Sequence, residues 1–540
     1  MATFNSSITT WAAASLPLVL IYGLYLQRRR SRSNLPLPPG PKKLPLVGNL
    51  FDLPSTFEWE TFKAWSQEFN SDIIHLDLAG TSVVVLCSFE ATDALLEKRS
   101  SIYSDRSHLP MLVDLMGWDF HLAMMKYGSK WRAHRRLFGQ GLSSTNSQKF
   151  RPRELAASHG LLHRLLHSPA GFRGHIKQMA GEVIAGVAYG IDVLPARDPY
   201  LSLAEQAVES GAEASIPGRF LVDVFPLLKY IPSWFPGAEF KRKAKEWRKI
   251  SHALQEVPFA EVKRQVAAGT APHSFAQECL EILNDSEPNG TYFQEDTIKG
   301  TAAAMYVAGS DTTVTVLVTL FLAMLANPEA QKRAQMEIDS VTGGTRLPDF
   351  GDEEALPYLS ALVKELLRWK TVTPISLNFL PGVFRIRLLI QYPLGVPHFI
   401  GVEDEYRGYR IPANSVVIGN IWALAHDEAM YPDPHAFRPE RFLLDGKPNP
   451  NVRDPPAFGF GRRICPGQYM ATASIWISVA SILATFNITK SVDSDGKVIE
   501  PSYECSSGFL SAPLPFGCSI QARSEQAVAL IQATRDKDSG

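Results

Sequence analysis

Towards its C-terminal end the chain of 540 residues reads FGFGRRICPG over residues 458–467, a loop that presents one cysteine among glycines. Gly461 and Gly467 allow backbone conformations that other residues resist, so the loop can close tightly around Cys465. A loop that shields the sulfur in this way is suited to hold a thiolate as a metal ligand. The alternative interpretation is a buried structural cysteine beside an ordinary glycine loop.

A long apolar segment before this loop carries a second unusual string. Residues 294–325 contain almost no helix breaker and become mostly apolar in their second half, which predicts one long buried helix. Within it, AGSDTT occupies residues 308–313. Gly309 would let a flat ligand approach the backbone closely, and Asp311 followed by Thr312 provides a proton relay. Alone this string is weak evidence, because Asp-Thr pairs on helices usually form local hydrogen bonds.

Both strings resemble those of the haem-thiolate monooxygenases, the cytochrome P450 family. The family's ligand loop reads Phe-x-x-Gly-x-Arg-x-Cys-x-Gly, and every fixed position is matched, by Phe458, Gly461, Arg463, Cys465 and Gly467. The resemblance implies haem b as the cofactor, with Cys465 as the axial ligand that pushes electron density onto the iron. It also implies that Phe458 contacts the haem and that Arg463 pairs with a propionate. The implied fold is mainly α with small β-sheets, in one large catalytic domain.

The family's distal motif, Ala/Gly-Gly-x-Asp/Glu-Thr, falls on the second string. By resemblance, Ala308 and Gly309 bind the cofactor, while Asp311 and Thr312 deliver the protons that O–O cleavage requires. Substrate contacts are expected from residues 111–125 and 220–236, from the helix face at Ala304 and Ala308, and from Phe509. The apolar segment 220–236 has two open interpretations, a surface that dips into a membrane or ordinary core.

Three more residues match positions that the family places beside the haem. Trp131 and Arg135 fit its Trp-x-x-x-Arg pattern, in which both ends contact the cofactor. His398 lies where the family has residues beside a propionate, although lone histidines are more often satisfied in packing. A cationic patch for an acidic electron donor is expected from neighbouring basic residues, namely Lys130, Arg132, Arg136 and Arg462.

An acid and a base three residues apart, Glu365 and Arg368, lie on one face of a predicted helix that opens near Pro357. Taken alone, this pair is a surface salt bridge. The resemblance adds Arg441 and implies a buried charge triad, whose role is structural.

Composition excludes several classes of protein. The formal net charge is −1 and the hydrophobic content is 45%, so bulk nucleic-acid binding has no support. Five cysteines without paired spacing argue against a disulfide framework or a zinc knuckle. Because no linker divides the chain, we predict one catalytic domain over residues 34–523. A membrane anchor with its basic stop is predicted before it over residues 1–33, and a polar, fraying tail after it over residues 524–540.

The predicted anchor is uncharged from Ile8 to Leu26, long enough to cross a hydrocarbon core of about 30 Å. An arginine cluster follows at residues 28–32. It predicts a retained, single-pass signal anchor with the catalytic domain in the cytoplasm. The resemblance to microsomal members of the family implies that the membrane is that of the endoplasmic reticulum. The alternative is a buried helix of a soluble domain.

The resemblance implies insertion of one oxygen atom of O2 into a small apolar substrate, by hydroxylation or epoxidation. No Gly-rich dinucleotide fingerprint and no spare flavin domain are found, so NADPH would act indirectly, through NADPH-cytochrome P450 reductase. One alternative is a haem-thiolate isomerase or dehydratase that does not use O2, against which the Asp311-Thr312 pair argues. Another is an inactive haem- or lipid-binding protein.

One departure from the family pattern follows Arg368. The family is compact there, whereas this chain inserts a largely apolar block from Ile375 to Tyr392. Compact cores rarely accept long insertions, so we hypothesise that a short in-frame intron has been retained in the translation. The alternative is a natural insertion that reshapes the substrate pocket, and sequencing the mature transcript distinguishes the two.

Overall fold

The computed structural model describes residues 35–54, 56–194, 198–215, 219–286, 293–374, 397–507 and 510–537. The predicted anchor, the block from Ile375 to Tyr392 and Phe509 lie outside these residues. Within them the chain is mainly helical with small sheets, which confirms the predicted fold class.

Helices form most of the described chain, connected by short 3₁₀ and π-helical turns. They are α1 (Glu58–Glu68), α2 (Phe89–Thr92), α3 (Ser100–Tyr103), α4 (Ser129–Leu142), α5 (Arg151–His167), α6 (Phe172–Tyr189), α7 (Pro199–Ala214), α8 (Glu239–Ala267), α9 (Phe275–Asn284), α10 (Glu295–Ala326), α11 (Pro328–Thr342), α12 (Pro357–Trp369), α13 (Ile421–Ala425), α14 (Gln468–Thr485) and α15 (Glu525–Lys537).

Strands form small sheets beside the helices. They are β1 (Ile73–Leu78), β2 (Thr81–Leu86), β3 (His398–Ile400), β4 (Asp404–Tyr406), β5 (Tyr409–Ile411), β6 (Ser415–Gly419), β7 (Leu443–Leu444), β8 (Lys447–Pro448), β9 (Phe486–Lys490) and β10 (Cys518–Ala522). The largest sheet has the order β1-β2-β6-β3, in which β1 and β2 form an antiparallel hairpin and β2 runs parallel to β6. The other named strands form two-stranded antiparallel sheets, namely β4-β5, β7-β8 and β9-β10.

Helix α10 is the central element of the core. It ends at Ala326 because Pro328 cannot continue a helix, and it packs against α6, α14 and α4. Its bounds confirm the long buried helix predicted from the sequence. By length and composition it is the one helix of the described residues that would cross a membrane, yet most of its apolar segment is buried inside the protein.

A buried charge triad joins α12 to the connection that leads towards Cys465. Both carboxylate oxygens of Glu365 accept hydrogen bonds from Arg368, at 2.7 and 2.8 Å, and Oε1 also accepts one from Arg441 Nε at 3.2 Å. Arg368 Nη1 donates to the carbonyls of Ala425 and Pro434 at 2.9 and 2.8 Å. These contacts confirm the predicted triad and show how it fixes the chain between α13 and the ligand loop.

The predicted fraying of the tail is wrong, because residues 525–537 form α15. Ile531 is fully buried and Ala527 nearly so, and both lie on one face of the helix. The helix packs on α5, where His163 Nε2 lies 2.9 Å from Thr534 Oγ1. A short apolar stripe is therefore enough to hold this mostly polar segment against the domain.

The segment 220–236 divides into a buried and an exposed part. Phe220 and Val222 are buried, whereas large apolar side chains after them are exposed: Phe225, Leu227, Tyr230, Trp234 and Phe235. Leu227 and Trp234 reach 79% and 77% exposure. The first part is core, and the second is an exposed apolar patch of the kind that marks an interaction surface.

Candidate active site

The loop around Cys465 is held by its glycines and by backbone hydrogen bonds. The Cys465 N–H donates to the Phe458 carbonyl at 2.8 Å, and Gly459 and Gly461 have φ values of +77° and +56°. A Cβ on Gly461 would lie 2.0 Å from the Leu96 carbonyl oxygen. The Gly461 N–H donates to Glu97 Oε1 at 2.7 Å. Only glycine fits at this point, so the motif glycine sets the position of the loop against residues 93–98.

The environment of the Cys465 thiol combines burial with a nearby positive charge. Burial raises the pKa of Cys465, while a hydrogen bond from the Gly467 backbone and the charge of Arg135 act in the opposite direction. Arg135 Nη1 also donates to the Ile464 carbonyl at 2.5 Å, which brings α4 against the loop. Without a metal the thiol is favoured, and a bound iron would hold it as the thiolate.

Arg463 lies over the ring of Trp131, with 4.7 Å between its Cζ and the ring centre. Its three nitrogens donate to the carbonyls of Ser104, Leu122 and Met125 at 2.7, 3.0 and 2.7 Å. A guanidinium has five N–H groups, so two remain for another acceptor. Burial lowers the pKa of Arg463 to about 10, and the group stays charged at neutral pH. The predicted pairing of Arg463 with a propionate therefore has donors left to make it.

His398 begins β3 and lies beside Arg463. It is buried, its Nδ1 lies 2.8 Å from the Tyr103 carbonyl, and burial together with the charge of Arg106 lowers the pKa of His398 to about 3. Arg106 donates to the carbonyls of Pro397 and Ala123 at 2.8 and 3.0 Å, which joins β3 to the segment before α4. Sequence reasoning missed Arg106, although an arginine that directly follows Asp105 before an apolar run is a usable signal.

The distal string forms an accessible turn of an otherwise buried helix. Residues 301–306 of α10 are buried, whereas Ala308 is exposed and residues 309–312 are half-buried. Thr312 Oγ1 donates back to the Ala308 carbonyl at 2.9 Å, which is the local bond expected of a helical threonine. Burial raises the pKa of Asp311, and Lys177 and Glu205 are its charged neighbours.

The structure gives Gly309 a different reason to be glycine from the one predicted. A Cβ there would lie 2.7 Å from Ile184 Cδ1 on α6, so the missing side chain serves helix packing. Its assignment to the cofactor stays a prediction. Ala308, the residue before it, is exposed, and its assignment to the cofactor also stays a prediction.

The residues around Cys465 fit a haem. Trp131 Nε1 is buried and has no hydrogen-bond partner among the described residues, as expected of a donor to an acidic group of a bound molecule. Two half-buried arginines, Arg135 and Arg463, flank the loop that carries the thiol. His398 is joined to these groups through the adjacent carbonyls of Tyr103 and Ser104, of which the first contacts His398 and the second accepts from Arg463. Within the described residues, the contacts of Asp311 and Thr312, by contrast, stay on α10 and its neighbours α6 and α7.

Comparison with protein families finds one model that matches most of the chain. The model described as Cytochrome P450 matches residues 38–378 and 384–519. The interruption at residues 379–383 falls inside the block from Ile375 to Tyr392, where the departure from the family pattern was noted.

Curated relatives cover nearly the whole chain. Cytochrome P450 monooxygenase ple1 of Rhodocybe pseudopiperita is 42% identical over 529 residues, 97% of this chain and 96% of the relative. Cytochrome P450 monooxygenase 98 of Postia placenta is 43% identical over 513 residues, 94% of both chains. Tryptamine 4-monooxygenase of Psilocybe cyanescens is 39% identical over 521 residues, 95% of this chain and 98% of the relative. All three are from fungi.

Proposed function

This chain belongs to the cytochrome P450 family and is a monooxygenase, and we propose that it inserts one oxygen atom of O2 into a small apolar substrate. The observation that carries the proposal is the enclosure of the Cys465 thiol by a glycine loop beside Trp131, Arg135 and Arg463. This set supplies one soft ligand together with donors for acidic groups, which is what a haem requires.

When bound through Cys465, the haem supplies the activation of O2. The protein would hold and orient it through two groups: the Trp131 Nε1 donor, which is unpaired among the described residues, and the two remaining N–H groups of Arg463. Arg135 places a positive charge beside the sulfur and lowers the cost of ionising it. These residues determine how tightly the cofactor is held.

Protons are proposed to reach the site through Asp311 and Thr312. The Thr312 hydroxyl uses its hydrogen on the Ala308 carbonyl, so its lone pairs stay available to accept a proton from a donor. Because burial raises the pKa of Asp311, its carboxyl holds a proton closer to neutral pH than an exposed aspartate does. The exposure of Ala308 supports this role, because a substrate or water can approach the helix at that turn.

Electrons are proposed to come from NADPH-cytochrome P450 reductase, which would dock on the cationic patch. The residues of the cationic patch are exposed. Arg132 and Arg462 both lie over the Tyr127 ring, at 5.7 and 5.6 Å from the ring centre. Charged rims mainly speed association. Replacing Arg132 and Arg462 by Gln should therefore lower the rate of reduction most at low ionic strength, and an unchanged rate would exclude this surface.

Attachment to the endoplasmic reticulum membrane is proposed through the anchor predicted from the sequence. The exposed apolar patch of residues 225–235 supports it, because large apolar side chains cluster on the surface there. A shortened protein that lacks residues 1–33 tests the contribution of the patch, because its binding to lipid vesicles can be measured by flotation. Replacing Leu227 and Trp234 by Ser should then release the shortened protein into the soluble fraction.

The direct test of the haem assignment is the carbon monoxide difference spectrum of the reduced protein. A thiolate-type Soret band from the full chain would support Cys465 ligation, and substrate-stimulated NADPH consumption with the reductase would support monooxygenation. The same measurement on a form lacking Ile375 to Tyr392 tests the retained-intron hypothesis. A band from the shortened form alone would favour it, and a band from neither form would contradict the assignment.

A further inference from the structure

The segment 118–125 lies between α7, α10 and the ligand loop. A Cβ on Gly211 of α7 would lie 2.7 Å from the Trp118 ring, and one on Gly300 of α10 would lie 3.1 Å from Phe120. At its other end the carbonyls of Leu122 and Met125 accept hydrogen bonds from Arg463. The segment therefore connects the core helix with the residues that surround Cys465.

Position along α10 brings the segment close to the accessible turn. Ala304 lies about one turn after Gly300 and Ala308 about one turn after Ala304, so the segment contacts α10 about two turns before the distal string. With a rise of about 1.5 Å per residue, Gly300 and Ala308 are roughly 12 Å apart along the axis. A molecule of moderate size at Ala308 can span that distance.

Two polar ring atoms of the segment are buried without a partner. Trp118 Nε1 and His121 Nδ1 have no hydrogen-bond partner in the part of the chain that the structure describes. The rings themselves are fixed, with 5.7 Å between the centres of Trp118 and His121 and 6.1 Å between those of Phe120 and His121. A buried polar atom left unpaired costs about 1–3 kcal/mol, so two of them side by side require a reason.

The imidazole of His121 is neutral at physiological pH, because burial lowers the pKa of His121 to about 4. A neutral imidazole has one donor and one acceptor nitrogen, and the indole adds a donor. These groups suit a neutral hydroxyl or carbonyl rather than a charged carboxylate or amine. The surrounding side chains of Phe120, Leu122 and Met125 are buried and apolar, or softly polarizable.

We propose that His121, with Trp118 beside it, recognises a neutral oxygen function on an otherwise apolar substrate. This assignment rests on the proposed monooxygenase function and narrows it: the substrate already carries a hydroxyl or carbonyl at the end remote from the oxidised carbon. A reaction that introduces or retains this hydroxyl or carbonyl must then precede the oxidation. His121 and Trp118 fix one end of the molecule, and the carbon that reaches Ala308 and Thr312 is thereby selected.

The test uses iron-anchored probes, because the natural substrate is not identified. Alkylimidazoles of increasing chain length, from butyl to decyl, are titrated into the haem-loaded full chain beside their ω-hydroxy analogues, and the Soret shift gives each affinity. The variants are His121→Phe, which keeps a stacking ring, His121→Gln, which keeps a polar amide, and His252→Phe. His252 is 70% exposed, so the last variant is a matched control. Each protein is first checked for an intact carbon monoxide spectrum.

For the unmodified protein, the ratio of the affinity of the ω-hydroxy probe to that of the plain probe should be about tenfold higher at one chain length than at the others. This factor corresponds to one buried hydrogen bond. His121→Phe should abolish this preference without weakening the plain alkylimidazoles, His121→Gln should keep part of it, and His252→Phe should keep all of it. A preference that survives in His121→Phe, or that appears at no chain length, overturns the inference. Absence of the carbon monoxide band from the unmodified protein would instead overturn the proposed haem function on which it rests.

Discussion

The buried charge triad gives the most sharply defined stability prediction, for Glu365→Gln. The side chains of Glu365 and Arg368 are both 0% exposed, and the carboxylate accepts four hydrogen bonds, two from Arg368 and one each from Arg441 and the Arg438 backbone. The amide keeps the shape but removes the negative charge, which leaves two buried guanidinium groups uncompensated. Breaking such a pair costs about 3–5 kcal/mol, and the lower figure applies because the amide oxygen still accepts hydrogen bonds.

A loss of about 3 kcal/mol is a large part of the stability of a typical domain, about 5–15 kcal/mol. The urea midpoint, followed by circular dichroism and by the carbon monoxide band, should fall by about 1 M if the urea slope is about 3 kcal/mol per M. The matched control is Glu329→Gln, which removes the same charge from an exposed pair with Lys332, whose side chains are 79% and 65% exposed. Its midpoint should hardly move, since exposed pairs contribute little. Equal shifts for the two variants would refute the reasoning.

Three further predictions concern the site and the helix behind it. Cys465→Ser should abolish the thiolate-type carbon monoxide band while circular dichroism stays unchanged, because the loop is held by its backbone. Thr312→Val should lower product formed per NADPH by at least about tenfold, measured as product against NADPH consumed, because the hydroxyl is lost at constant size. Burial raises the pKa of Glu154 to about 7 from 4.5, so its contribution to stability is full below pH 4.5 and is lost as the pH rises through 7. Glu154→Gln should therefore stabilise the protein at pH 8 by up to about 3 kcal/mol and change little at pH 4, by urea unfolding.

The residues that the sequence located well are those whose spacing already encodes their contacts. Glu365 and Arg368 are three apart on one helix, so their pairing needs only the helix to form. Cys465 lies in a glycine-rich loop that is recognisable from the sequence, and at Gly461 the Leu96 carbonyl leaves no room for a side chain. The long helix could be predicted because Pro328 marks its end and apolar residues fill its second half.

The rest depends on partners that are distant in the sequence. Helix α15 was missed because Ala527 and Ile531 alone give a weak apolar pattern, and their burial is decided by α5. Gly309 was assigned to a ligand because nothing local points to Ile184 on α6. The unpaired nitrogen of His121 is visible only when its neighbours are in place, since a lone histidine carries no such signal in the sequence.

The parallel pairing of β2 with β6 has a consequence for synthesis in the cell. Val83 lies opposite Val416, 333 residues further along the chain. At about 5–20 residues per second, a ribosome takes roughly a quarter of a minute to a minute to supply the partner strand. During that interval the nascent hairpin presents an apolar, unpaired edge of the kind that recruits other strands. Productive synthesis thus depends on keeping this edge covered until about three quarters of the polypeptide has emerged.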